Sequence, residues 1–332
     1  MTSISQGRVS VVIPVHNRSR MIIEAIDSIR AQTWTDWEVV VADDASTDDT
    51  VAVVKELAAT EPRIRIVELP PPNGGPGVAR EAGRLVASGE YIQYLDSDDL
   101  LLPDKFEKQV ELLRRCPEAD IAYGWTMVRA ADGSLNERPC KSTGERHLSL
   151  FPKLLIDRWW FTSTPLYRRS LVDRIGAWPT IRWGQDWAYD AKAAALGARL
   201  VSLDAYVSVH REHGGARQTG VFDWYSGERL QAYHDLQVVM LESAIAAGVA
   251  TGIAEMRHFA RLQFKIARSF AAEGRSDMAR EAYALAARAY GLPHEVPRDM
   301  RWYETLSNLF GWKFVGRLAV LRDRRPWTRL PA

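Results

Sequence analysis

Short β-branched runs alternate with stretches of helical spacing through the first hundred positions, and this alternation predicts an α/β sheet before composition is considered. Residues 8–14 read as a strand. Met21, Ile22, Ala25, Ile26 and Ile29 then recur at the spacing of one helix face within residues 20–32. The pattern repeats as strand 38–42, helix 48–59 and strand 63–69. Pro70, Pro71, Pro72, Asn73, Gly74, Gly75, Pro76 and Gly77 must form a loop, followed by a helix over 78–88 and a strand over 91–95. Residues 100–113 read as a further helix. This βαβαβ order predicts a mainly parallel, doubly wound sheet flanked by helices, with its ligand at the carboxyl ends of the strands. The next hundred residues have no clean period, and from about Phe222 the chain reads as wholly helical. The expected division is an α/β domain, 1–221, and an α-helical C-terminal extension, 222–332. Within the extension, 238–256 reads as one buried or amphipathic helix. Residues 259–290 resemble a single tetratricopeptide helix pair broken at Glu273-Gly274-Arg275, too little for a solenoid.

Composition narrows the function classes. Of 332 residues, 46% are hydrophobic and 26% charged, which suits a globular protein with one large domain and an appendage. A net charge of +1 gives no electrostatic reason to expect a nucleic-acid partner. The only two cysteines, Cys116 and Cys140, cannot build a disulfide framework or a four-cysteine zinc site, and point to a reducing compartment. The short polar start of the chain predicts no signal peptide, and the stretch 238–256 is too interrupted to span a bilayer. The expectation is a cytoplasmic protein whose membrane contact, if any, is peripheral.

Candidate chemistry sits at the strand ends. Tyr94-Leu95-Asp96-Ser97-Asp98-Asp99-Leu100 packs three carboxylates where a buried strand leaves the sheet. Hard oxygen ligands there suit Mg²⁺ or Mn²⁺, and an ion held by one or two protein carboxylates completes its shell with substrate phosphates and water. A nucleotide diphosphate is the natural substrate of such a place. On spacing alone the same residues serve equally as a polar turn and helix cap. Asp43 and Asp44 end the next strand and could hydrogen-bond a base, or form an Asx turn. His16 and Asn17 end the first strand, and Arg80 follows the glycine loop at a helix start suited to diphosphate oxygens. Arg80 could equally pair with Glu81 or Glu90 on its helix face.

Val11-Val12-Ile13-Pro14-Val15-His16-Asn17, Asp43-Asp44-Ala45-Ser46-Thr47-Asp48, residues 74–80, Gly89-Glu90-Tyr91-Ile92 and Asp96-Ser97-Asp98-Asp99 resemble the successive signatures of family 2 glycosyltransferases, in order and with ordinary spacing. The resemblance covers about residues 8–215. It implies the GT-A fold, a nucleotide-sugar donor, an inverting mechanism and a divalent metal, Mn²⁺ or Mg²⁺. Carried over by position, Pro14, Val15, His16 and Asn17 line the nucleotide pocket, Asp44 contacts the base, usually uracil, and Arg80 meets the diphosphate. Asp96 and Ser97 lie near the ribose. Asp98, matching the last acid of the DXD element, coordinates the metal, and His210 matches the histidine that many relatives add to it. Gly184-Gln185-Asp186-Trp187 resembles the Glu-Asp element, whose Asp is the general base; here Gln185 replaces the Glu.

Trp160, Trp183 and Trp187, with Gln185, are the candidates for acceptor contact, because sugar rings present apolar CH faces that stack on indoles. Trp178 reads as core. The acceptor class is a saccharide or glycolipid, in the synthesis of surface polysaccharide or glycolipid; the alternative is a protein of the same fold that binds a nucleotide-sugar without transferring it. The end of the chain, 302–327, mixes aromatic and aliphatic residues with Lys313, Arg317, Arg322, Arg324 and Arg325. It reads either as a surface for the inner face of an anionic membrane or as a docked tail with a solvated basic face, while the helix pair at 259–290 would pack against the catalytic domain or, in a homodimer through the C-terminal helices, a second subunit.

Overall fold

β-branched residues at 9–15 and 39–42 place the first two strands side by side in the interior of the computed structural model, which describes residues 4–136, 138–212 and 227–323. β1 (Ser5–Val15) pairs in parallel with β2 (Trp37–Asp43) on one side and β4 (Gly89–Tyr94) on the other, and β3 (Ile64–Glu68) extends the parallel half beyond β2. Helices α1 (Ser19–Arg30), α2 (Thr50–Thr60) and α3 (Pro76–Val86) make the crossovers. α1 buries Ile22, Ala25, Ile26 and Ile29, the face that its spacing predicts, in the core cluster that also holds Val11, Ile13 and Val39.

Beyond β4 the sheet changes character. β5 (Leu100–Leu101), α4 (Lys105–Arg115), β6 (Ile121–Arg129), β7 (Leu135–Asn136), β8 (Leu166–Arg168), α5 (Arg169–Ile175), α6 (Gln185–Ala195) and β9 (Leu200–Arg211) follow in chain order. The strand order is β3-β2-β1-β4-β8-β6-β9-β5, with β7 on β6. β8 runs antiparallel to both β4 and β6, while β9 is parallel to β6 and antiparallel to β5. The sheet is therefore mixed, rather than mainly parallel throughout. The expected helix over 100–113 is a second correction: Leu100 and Leu101 pair with Val209 and Ser208 of β9, and the helix starts only at Lys105. A pairing with residues a hundred positions away overrides the local leucine pattern.

β1 has neighbours reached by crossovers in opposite directions, so the carboxyl ends of β1 and β4 flank the crevice where open α/β sheets take their ligands.

The chain forms two compact units. The first takes residues up to Leu150 and, from Arg158, the remaining strands and helices through β9; the second takes Phe151–Asp157 with the later helices. The boundary is thus not the single cut expected at 221/222. The second unit holds α7 (Gly227–Ala246), α8 (Ala254–Glu273), α9 (Ser276–Tyr290), α10 (Arg298–Phe310) and α11 (Trp312–Asp323). The expected single helix over 238–256 is divided between α7 and α8, with Gly248 and Gly252 at positive φ between them. The α8–α9 break falls at Gly274, as its sequence predicts. Among the described residues no helix is long and apolar enough to cross a membrane.

Candidate functional site

Pro14 and Val15 close β1 in the sheet interior, and the chain then turns through Asn17, whose φ of 52° lies in the left-handed region. An Asn tolerates that region because its short side chain can bond locally. Here the Asn17 amide oxygen accepts the backbone N–H of Thr47 (2.8 Å) and of Asp48 (3.3 Å), tying the end of β1 to the loop after β2. His16 Nδ1–H donates to the Asp44 carbonyl at 2.8 Å, and Asp43 accepts the N–H of Ser46 at 2.9 Å. The second oxygen of the Asp43 carboxylate is buried without a hydrogen-bond partner among the described residues.

Asp44 is buried, and its two carboxylate oxygens accept the backbone N–H groups of Gly74 (2.8 Å) and Gly75 (2.7 Å). Gly75 has φ of 86°, which only glycine adopts without strain. The carboxylate thus clamps the glycine loop, a role its sequence position does not reveal. Pro76 then opens α3, and Arg80 on that helix, 4% exposed, donates to Asp96 at 2.5 Å and lies 4.9 Å over the Trp178 ring. Arg80 Nε–H and the other terminal nitrogen have no hydrogen-bond partner among the described residues. Buried guanidinium donors left open in this way are suited to anionic oxygens.

The cluster after β4 divides by depth. Asp96 and Asp98 are half-buried, and Ser97 and Asp99 are buried. Asp99 accepts His210 Nδ1–H at 2.9 Å, Ser163 Oγ–H at 3.1 Å and the N–H of Arg211 at 3.2 Å. Burial pushes its carboxyl up, against the opposing pull of His210. Phe161 stacks on the His210 ring at 3.9 Å, and Arg211 donates to the Asp98 carbonyl and pairs with Glu24. His210 is therefore held through Nδ1 by the buried Asp99 carboxylate. Among the described residues no three His, Cys, Asp or Glu side chains converge to hold an ion by themselves.

Asp186 lies in the first turn of α6, after Gly184 at φ 77°. Its carboxylate accepts Arg158 at 2.8 Å and the N–H of Trp187 at 2.9 Å. Arg158 also donates through Nε–H to Asp190 at 2.8 Å, and Asp190 in turn accepts Trp160 Nε1–H and Tyr167 O–H, each at 2.8 Å. Burial acts to raise the Asp186 carboxyl, but the charges of Arg158 and Arg80 and the Trp187 N–H outweigh it and hold it below the ordinary carboxylate range. Its side chain remains 29% exposed. An ionised, held and accessible carboxylate can accept a proton.

Residues 10–175, half of the 332, match the model of the family described as Glycosyl transferase family 2. The chain belongs to glycosyltransferase family 2. Over 279 residues it is 29% identical to the succinoglycan biosynthesis protein ExoO of Rhizobium meliloti, covering 79% of this chain and 75% of that protein. It spans 13% and 65% of the length of two other curated relatives that it matches, from Sinorhizobium fredii and Nostoc. Among solved structures, S. aureus TarS 1–349 in complex with UDP-GlcNAc is similar with a TM-score of 0.65 at 17% identity, covering 97% of this chain and 93% of that one. The mannosyltransferase PcManGT from Pyrobaculum calidifontis, in complex with GDP-Man and Mn²⁺, gives 0.51 at 20% identity, with coverage of 96% and 88%. The fold is GT-A, with helices appended at the C-terminal end.

For a family 2 glycosyltransferase, the acceptor candidates sort by exposure. Trp160 is fully enclosed, its N–H taken by Asp190, so it offers no face to a sugar and is corrected to a core residue. Trp178 stacks on Tyr189 at 4.1 Å and is core too. Trp183 and Trp187 are half-buried, with the Arg182 guanidinium 5.0 Å over the Trp183 ring. Gln185 is buried, its amide oxygen without a partner among the described residues. His213, three positions after His210 in the sequence, lies outside the described residues. The residues that sequence reasoning missed are in one segment: Arg158 meets Asp186, Phe161 meets His210, and Ser163 meets Asp99. An arginine leading an aromatic and hydroxyl run, Arg158-Trp159-Trp160-Phe161-Thr162-Ser163-Thr164, was the available signal.

Proposed function

We propose that this glycosyltransferase moves a sugar from a nucleotide-diphosphate donor, a UDP-sugar, to a hydroxyl of a saccharide or lipid-linked saccharide, with inversion, in the synthesis of surface polysaccharide or glycolipid. The observation that carries the reading is Asp186, held ionised by Arg158 in the same unit as the strand-end carboxylates and the open donors of Arg80. The likeness to TarS in complex with UDP-GlcNAc and to the succinoglycan biosynthesis protein ExoO supports the donor and pathway class.

In this reading, residues 14–17 and Asp44 frame the base, Asp96 and Ser97 the ribose, and Arg80 turns its unused N–H groups to the diphosphate. Asp98 and His210 would hold a divalent ion, Mn²⁺ or Mg²⁺, which would supply Lewis-acid stabilisation to the leaving diphosphate. Asp186 takes the proton of the acceptor hydroxyl as its oxygen forms the new bond to the anomeric carbon. The bond from that carbon to the β-phosphate oxygen breaks, and its electron pair leaves with UDP. No covalent sugar–enzyme intermediate is needed. Trp183, Trp187 and Gln185 are the acceptor-side candidates.

The test is hydrolysis and transfer across a panel of nucleotide-sugars with and without Mn²⁺. A preference for one UDP-sugar that Asp98→Ala abolishes, together with loss of calorimetric UDP binding in Mn²⁺, is expected. Unchanged UDP affinity in that variant rules out the assignment of Asp98.

A further inference from the structure

α10 and α11 carry more apolar surface than their packing uses. Their inner faces are buried: α10 buries Met300, Tyr303 and Ser307, and α11 buries Trp312. α11 packs on α8 at Gly316, where a Cβ would come within 2.5 Å of the Ala271 side chain. That close approach fixes which side of α11 faces outward. On the outward side, Trp302, Leu309 and Phe310 of α10 and Phe314, Leu318 and Leu321 of α11 are 53 to 71% exposed. Their intervals of seven and eight on α10, and of four and seven on α11, put each set on one helical stripe. Isolated exposed leucines need no explanation, but exposed apolar stripes along two consecutive helices mark an interaction surface.

Charge decides what covers it. Helical spacing places Arg298 beside the α10 stripe and Arg317 and Arg322 on either side of the α11 stripe, whereas Glu304 falls on the opposite face of α10. Asp299, the one acid near the stripe, is neutralised by Arg261 at 2.5 Å. We infer that this face lies on an anionic lipid bilayer, with the aromatic and leucine side chains at the acyl boundary and the arginines among the headgroups. A second copy is a poorer occupant, because a two-fold contact would set the arginine margins of the two copies against each other. Neither helix is long and apolar enough to cross the bilayer, so the contact lies in the surface plane.

Vesicle sedimentation of the full chain tests this without nucleotide or acceptor, so its outcome is independent of the catalytic reading. The wild type should pellet with phosphatidylcholine vesicles that contain phosphatidylglycerol, and far less with phosphatidylcholine alone. The Phe314→Ser/Leu318→Ser variant, changed only at exposed positions, should lose binding at least about tenfold. Arg317→Glu/Arg322→Glu should lose the preference for phosphatidylglycerol, and both variants should keep wild-type UDP affinity in Mn²⁺. No pelleting of the wild type, or equal pelleting of the apolar variant, overturns the proposal. A wild type that dimerises in solution without binding vesicles, and that Phe314→Ser/Leu318→Ser makes monomeric, assigns the face to self-association instead.

Discussion

The Asp186–Arg158 ion pair is the unit on which the proposed transfer turns. Asp186→Asn keeps size and one hydrogen-bond acceptor but removes the base, so UDP should still bind while transfer falls at least about a hundredfold. A near wild-type rate would leave Asp186 as the first-turn acid of α6 and nothing more. Because Arg158 holds the Asp186 carboxyl below its ordinary range, wild-type activity should persist as pH falls and decline only below that range. Arg158→Gln removes the charge that outweighs burial, so the acid limb should move to higher pH, and Arg158→Lys should restore it in part. A limb that stays in place when Arg158 is replaced by Gln shows that the arginine only packs. Asp44 clamps the glycine loop and, in the proposed reading, also contacts the base. Asp44→Ala frees the N–H groups of Gly74 and Gly75, so pyrophosphate affinity should fall, and UDP affinity should fall further through the lost base contact. Equal losses by calorimetry leave only the loop clamp. The strand-end acids were legible because they are contiguous with a recognisable strand. Arg158 was not, because its partners lie 28 and 32 positions away and its own stretch has no periodicity.

Two elements carry stability predictions. At the start of β4 a Cβ on Gly89 would come within 2.6 Å of the Arg8 carbonyl and 2.8 Å of the Ser10 nitrogen, both backbone atoms of β1. Backbone cannot rotate aside, so Gly89→Ala should destabilise by about 1–3 kcal/mol; an unchanged denaturation midpoint would refute the close approach. In α4, Lys105 is fully buried, donating to Gln109 (2.6 Å) and to the Thr164 carbonyl (2.8 Å), and burial holds its amine well below the ordinary lysine range. Between its depressed folded pKa and the unfolded value near ~10.4, the unfolded chain binds a proton that the folded chain does not, so stability should rise with pH there, by up to about 1.4 kcal/mol per unit. Lys105→Met should remove that slope, since Gln109 still donates to Thr164 at 3.2 Å. Denaturant titrations at several pH values give the comparison, and a slope retained by the Met variant would show that other groups cause it.

For the whole molecule, the decisive feature is that Phe151–Asp157 leaves the first unit and joins the second, where the turn at Lys153–Leu155 packs on α8. Phe151, Leu154 and Leu155 are buried, so a chain ended after residue 216 loses the helices that shelter them. Such a truncation should unfold at lower temperature than the full chain and expose apolar surface to dye. An equally stable truncation would make the two units independent.

The sequence by itself determined the parallel half of the sheet, the glycine loop, the helical end of the chain and the family, because each depends on neighbours in sequence or on a contiguous motif. Local spacing is enough to choose strand or helix where one face is buried. Only the tertiary structure decided that Leu100 and Leu101 are strand, that Trp160 is core, that Asp44 clamps a loop and that Arg158 holds Asp186. Those outcomes depend on distances between positions far apart in the chain, where burial and an ion partner, rather than residue type, set what a side chain does.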